Sequence, residues 1–266
     1  MTNAHDLLKS GDLAGALSAA KDEVRSKPAE LGPRVLLFQL QCVIGDWAKA
    51  QTQLKVAPEL DTEAMSLAQT YVRAIECEMF REDVFRGERS PLILGEPPEW
   101  MGLMTEALRI ECQGDGAGAQ AMREEALEKA PTTSGTLNGE GFDWVADADA
   151  RLGPCLEVIV NGKYFWAPYE RIRKLTIEPP TDLRDLIWIP AAAEWSNGGT
   201  AIALIPVRYP GSAGSDQDEI RLSRLTTWSE SDHGAWTGLG QRVLTTSNAE
   251  LPLLDVRELV TDVALT

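Results

Sequence analysis

A six-residue pattern, Gly-Asp-x-Ala-x-Ala, occurs three times in this chain, starting at Gly11, Gly45 and Gly114. The first two copies begin 34 residues apart and the third begins 69 residues later. The first spacing is about the period of tetratricopeptide helix pairs, and the second is about two such periods. The residue types suit a turn between helices. Glycine lets one helix end in a left-handed conformation. Aspartate accepts backbone N–H bonds at the start of the next helix. The small alanines let that helix pack close to its neighbour. A helical array over residues 1–131 is therefore predicted, and arrays of this kind mostly bind other polypeptides.

Helical spacing of apolar residues fills in the array. Helices are expected from Ala4 to Lys9 and from Leu13 to Ser26. A third starts near Pro33, and a fourth runs over 47–57 and stops at Pro58. A longer one extends from Thr62 to about Arg86, and two more cover Glu99 to Cys112 and 119–130. No hexad separates the second and third copies. A loop rich in Pro and Gly, from Arg86 to Pro98, takes its place. Residues 132–142 (TTSGTLNGEGF) read as a linker by composition. Beyond it, residues 143–266 carry short β-prone runs. Two of them flank Asn161-Gly162, a strong hairpin signal. Others are Leu175–Ile177, Ile187–Ile189, Thr200–Val207, Ile220–Trp228 and Arg242–Thr246. The fold class is thus a TPR-like α-α superhelix followed by a smaller α+β or β-barrel-like domain.

Charge narrows the partners. The formal net charge is −16. Residues 1–150 hold 14 Lys/Arg against 26 Asp/Glu, while 151–266 hold 11 against 15. An acidic field of this size repels nucleic-acid backbones and anionic membranes. No apolar run is long enough to span a membrane, and the first dozen residues lack the pattern of a secretory signal. The four cysteines, Cys42, Cys77, Cys112 and Cys155, form no metal-binding spacing. Three recur at 35-residue intervals, which suggests one buried position of the array and free thiols in a reducing cytoplasm.

Few residues carry chemistry. Asp143, Asp147 and Asp149, with Arg151, form an acidic cluster. As a pair of carboxylates or a set of oxygen ligands it would serve a hydrolase-type or metal-dependent enzyme. As caps and ion pairs to Arg151 it is structural. The histidines, His5 and His233, have no ligand-spaced neighbour, and no Gly-x-Ser-x-Gly elbow is present. Six of the eight tryptophans lie in the second half: Trp144, Trp166, Trp188, Trp195, Trp228 and Trp236. They either fill a sheet core or form a binding face. Arg208-Tyr209-Pro210-Gly211 joins a charge and an aromatic just before a turn, a setting for a binding contact or equally for a buried Arg–carboxylate pair. In the array, Tyr71, Ile75, Phe80, Phe85 and Trp100 are the candidate lining of a groove that would hold a partner helix.

Several blocks resemble the ImpE family, also called TagJ or SciE-like. They are Asp147-Ala-Asp149-Ala-Arg151-Leu152-Gly153-Pro154 continuing to Glu157, Pro180 to Trp188, Pro206 to Ser212, Thr227-Trp228, and Gly238 to Arg242. Arg86-Gly87, Pro91, Gly95 and Trp100 match upstream. The resemblance implies a helical-repeat domain, a smaller β-containing domain and a non-enzymatic accessory role in bacterial type VI secretion. It implies binding to a helical segment of the small sheath subunit (TssB-like), near the sheath-disassembling AAA+ ATPase. It supplies no catalytic residues, metal or cofactor. A general scaffold or chaperone for another secretion component is the remaining alternative.

Overall fold

Each hexad folds as its chemistry dictates. In the computed structural model, which describes residues 3–265, helix α1 (Ala4–Lys9) turns at Gly11 into α2 (Leu13–Ser26). Helix α3 (Leu31–Val43) turns at Gly45 into α4 (Trp47–Leu60). After α5 (Met65–Phe85), α6 (Glu99–Cys112) turns at Gly114 into α7 (Gly116–Lys129). The three glycines have φ of 85°, 73° and 92°. Each donates its N–H to a carbonyl three residues back, and the following Asp donates to one five back, closing a Schellman turn. The carboxylates of Asp12, Asp46 and Asp115 then accept from the N–H groups of Gly15, Lys49 and Gly118.

A fourth turn of the same kind stands where the hexad was missing. Gly87, at φ 73°, donates to Val84, and Glu88 donates to Asp83. Only the glycine of the pattern survives there. Pro58 does not stop α4. It sits in the last turn, and the helix continues to Leu60. The cysteine interval is half right, because Cys42 and Cys77 are buried but Cys112 is exposed at the end of α6.

The second half is a sheet, and it begins earlier than composition suggested. Strand β1 (Leu92–Ile93) lies in the loop after α5. The expected linker instead forms a hairpin of β2 (Gly135–Leu137) and β3 (Glu140–Phe142). Then come β4 (Val145–Asp147), β5 (Cys155–Val160), β6 (Lys163–Pro168), β7 (Ile172–Ile177), β8 (Trp188–Trp195) and β9 (Thr200–Pro206). A short helix α8 (Asp218–Arg221) stands where Ile220 was expected to start a strand. The chain finishes with β10 (Thr226–Glu230), β11 (Trp236–Gly240), β12 (Val243–Thr246), β13 (Glu250–Pro252) and β14 (Glu258–Thr261). Nine strands form one sheet in the order β1-β6-β5-β9-β8-β7-β14-β2-β3, antiparallel except for β1 beside β6. Strands β13-β12-β4 and β10-β11 make two small sheets. Asn161 and Gly162, at φ 52° and 70°, form the expected β5–β6 turn.

The core ignores the boundary between array and sheet. Alternation along β5 sends Leu156, Val158 and Val160 to one face, which packs within the sheet half. Cys155 and Ile159, with Tyr164, Trp166 and Trp188 from neighbouring strands, face the other way. They join Phe38, Trp47, Tyr71, Ile75 and Trp100 of the helices in one continuous apolar cluster. Each such side chain, fully buried, contributes about 1.5–3 kcal/mol.

The hexad turns are also where the halves meet. Arg224 donates to Leu8 O (3.2 Å), and Asp218 accepts from Leu13 N (3.3 Å), at the first turn. Arg208 donates to Val43 O (2.7 Å) and Cys42 O (3.1 Å) at the second, so a guanidinium caps the negative end of α3. At the third, Gly116 lies directly under His233, with space for no side chain between them.

A prediction follows for two of these glycines. Alanine at Gly114 would meet no neighbouring atom and would suffer only the left-handed backbone, about 1–2 kcal/mol. Alanine at Gly45 would in addition stand 3.0 Å from Ala213 Cβ. Gly45→Ala is expected to destabilise more than Gly114→Ala in urea unfolding. Equal losses would show that the second turn does not bear on the sheet half.

Candidate functional site

A buried network of charged residues lies at the seam between α5 and the sheet. Glu157 lies in the middle of β5 and is fully buried. Arg81 of α5 reaches it with two hydrogen bonds, at 2.6 and 2.8 Å. Arg242 and the Tyr164 hydroxyl donate to the same carboxylate. Burial alone would raise the Glu157 pKa, but Arg81, Arg242 and Tyr164 together hold it down at about 2. Arg81 also donates to Arg208 O (2.9 Å) and pairs with Glu78, which accepts the Trp188 indole N–H at 2.9 Å.

The acidic cluster is split three ways. Asp143 is exposed, and only its backbone N–H is bonded, to Ser247. Asp147 is buried. It accepts from the Tyr209 hydroxyl (2.9 Å) and Asp149 N–H (2.9 Å), and stands 3.5 Å from Arg242. Burial pushes its carboxyl up to about 7 against the pull of Arg242, and neighbouring Asp149 adds to the rise. Asp149 is clamped by Arg151 (2.8 Å at Nε) and by Gly238 N–H (2.8 Å). Arg151 lies 5.3 Å over the Phe85 ring, and Arg81 is 5.6 Å from the same ring. Arg208 is spent on carbonyls of α3 and on Arg221 O, and burial lowers its pKa to about 10. The fold does not gather the three carboxylates of the cluster into one site. Asp143 does not join it, and the two buried carboxylates are turned toward internal donors. Among the described residues no group of three or more His, Cys, Asp or Glu side chains is placed to hold a metal ion.

The expected helix-binding groove is likewise occupied by the protein itself. Tyr71, Ile75 and Trp100 are buried. Tyr71 packs on Phe38 and Trp188, Phe80 on Tyr164, and Phe85 on Trp166. Tyr71, Phe80 and Phe85 thus each meet an aromatic ring of the sheet half, and Tyr71 meets one of α3 as well. The tryptophans differ in burial. Trp166, Trp188 and Trp195 are buried, Trp228 is half-buried, and Trp144 and Trp236 are exposed. Glu157, Arg81 and Arg242 were not singled out as site residues. Glu157 and Arg242 close two of the family-like blocks, which was their only signal.

Two stability predictions follow. Glu157→Gln removes the charge that two buried guanidiniums share and leaves Arg81 only Glu78, at 3.3 Å, and Arg242 only Asp147, at 3.5 Å. A loss of about 3–5 kcal/mol is expected in denaturant unfolding, and a loss under about 1 kcal/mol would contradict the pairing. For Asp147 the folded pKa lies above its ordinary 3.8. The folded state therefore binds the proton more tightly, and this contribution favours folding at low pH and is lost as pH rises from about 4 to about 7. Asp147→Asn should remove that component, so the gap between variant and parent melting temperatures should shift in the variant's favour from pH 4 to pH 8. Parallel profiles would refute it.

Comparisons with known proteins identify the family and the fold. A family model described as ImpE protein matches residues 139–260, the region of the sheet and its polar seam. The type VI secretion system accessory component TagJ of Pseudomonas aeruginosa is 46% identical over 256 residues, covering 96% of this chain and 90% of that protein. A crystal structure of protein VPA1032 from Vibrio parahaemolyticus superposes with a TM-score of 0.89 at 24% identity, over 98% of this chain and 97% of that one, and shares the fold.

Proposed function

Because the chain belongs to the ImpE family, we propose that it is a non-enzymatic accessory component of type VI secretion that acts as an adaptor in the cytoplasm. In this reading it holds a helical segment of the small sheath subunit (TssB-like) and assists sheath recycling by the AAA+ ATPase. The observation that supports it best is the fate of the charged residues. Asp147, Asp149, Arg151 and Arg208, the groups with chemistry to offer, are bonded to one another, to backbone or to ring faces inside the molecule. Arg208, on the carbonyls of α3, and Arg151, over the Phe85 ring, join the sheet half to the array, and Asp147 and Asp149 bond within the sheet half, an arrangement suited to a binding platform. The acidic surface suits a partner carrying Lys or Arg beside its apolar residues.

Titration calorimetry of the purified chain with the purified sheath small subunit tests this reading. Saturable binding that is lost when the subunit's helical segment is deleted is expected. No binding would overturn it. A deletion strain separates the roles further. Slower sheath disassembly fits the adaptor, whereas failure to assemble sheaths at all would favour a general scaffold.

A further inference from the structure

One groove on the surface is built from both halves. It is a cavity of about 480 Å³ between α7, the β3–β4 connection and the start of β11. Three large apolar side chains line it while remaining open to solvent: Leu127 (53% exposed), Trp144 (41%) and Trp236 (48%). Three such residues meeting at one cavity is unlike the scattered single exposures that need no explanation. Its two walls touch. The β10–β11 hairpin, which carries Trp236, rests through His233 on Gly116 at the start of α7, the helix that carries Leu127.

The charged groups lining the cavity are already engaged. Arg123 pairs with Glu111, and Asp147 accepts from Tyr209 through Oδ1, while its Oδ2 is ion-paired with Arg242 at 3.5 Å and takes no hydrogen bond. A small polar ligand would find no free charged group among them to orient it. The charged residues next to the lining in sequence are mostly acidic. Glu124, Glu128 and Asp143 are exposed, each adjoins a lining residue, and none has an ion pair among the described residues, whereas the exposed base among these neighbours, Lys129, is paired with Glu99 and Glu125. An apolar floor inside an acidic rim fits a polypeptide that projects a row of aliphatic side chains flanked by Lys and Arg. One face of an amphipathic helix does this at i, i+3, i+4 and i+7. Acidic membranes and nucleic acids are repelled by the same rim.

We infer that this groove is the docking surface for a basic amphipathic helix, with Trp236, Trp144 and Leu127 as its apolar contacts. The inference rests on the adaptor reading above and assigns it a surface. Tryptophans at the centre of an interface carry a disproportionate share of its energy.

The test uses the full chain with two probes: the sheath small subunit, and a synthetic helix with Leu on one face and Lys on the other. Trp236→Ala and Leu127→Glu replace exposed side chains. Ile202→Glu, at an apolar residue 71% exposed outside this groove, is the control. Trp236→Ala is expected to weaken binding by at least about thirtyfold. Leu127→Glu should weaken it comparably, and Ile202→Glu should leave it unchanged. Replacing the Lys of the synthetic helix with Glu should abolish its binding. If the subunit binds the parent chain and both groove variants equally, the groove assignment is overturned and the adaptor reading survives. If the subunit does not bind but the Lys helix does, and the groove variants lose it, the adaptor reading falls and the groove stands. Binding of neither probe, or equal binding of the Glu helix, overturns the groove assignment.

Discussion

A carboxylate in the middle of a central strand has to be neutralised where it lies, and Glu157 sets that condition for the whole molecule. Burying a lone charge costs several kcal/mol, so the strand is tolerable only with guanidiniums beside it. One comes from Arg242 in the sheet half and the other from Arg81 on α5. The second requirement draws a helix of the array across the sheet face and fixes its axial position. Once α5 is placed, Glu78 meets the Trp188 indole, Phe85 comes under the Arg81 and Arg151 guanidiniums, and Tyr71 packs on Trp188. The apolar cluster supplies most of the energy of the seam. The ion pairs choose which of its many apolar packings is used.

The parts legible in the sequence were those whose cause is local. A Schellman glycine followed by a capping aspartate needs only neighbouring residues, so three helix turns could be placed to within a residue or two. The Asn161-Gly162 hairpin was legible for the same reason. The 132–142 hairpin was not. Its strands are three residues long, and β2 is held by β14 near the far end of the chain. Composition reports flexibility there, and pairing overrides it. The apolar positions on α5 were recognised as contacts, but periodicity does not say with what. Trp144 and Trp236 could not be told from Trp166 and Trp188 by sequence, because exposure depends on which strand of which sheet carries each one. The family-like blocks pointed to the right residues while concealing their task. Asp147, Glu157, Asp185, Arg208 and Arg242 are all buried, and they bond the structure together.

The hexads gain a second meaning from the fold. Their glycines and aspartates turn the chain, as in any helical array. Each turn also meets a segment of the second half: Asp218 and Arg224 at the first, Arg208 and Ala213 at the second, His233 at the third. Helix ends present unpaired carbonyls and N–H groups, and in this protein the sheet half satisfies part of that demand. Array and sheet are thus joined at the helix turns, where a solenoid ordinarily meets only its own neighbouring repeats.

Solenoids commonly change size over generations by gaining or losing whole repeats, because each repeat touches only its neighbours. This chain has given up that freedom. Arg208 must find the last carbonyls of α3 while Arg81, two helices later, finds Glu157. A helix pair inserted between those points would leave one of the two contacts out of reach. The seam acts as a ruler, and variation in related chains is expected to accumulate in loop lengths and surface side chains, with the count of helices held constant.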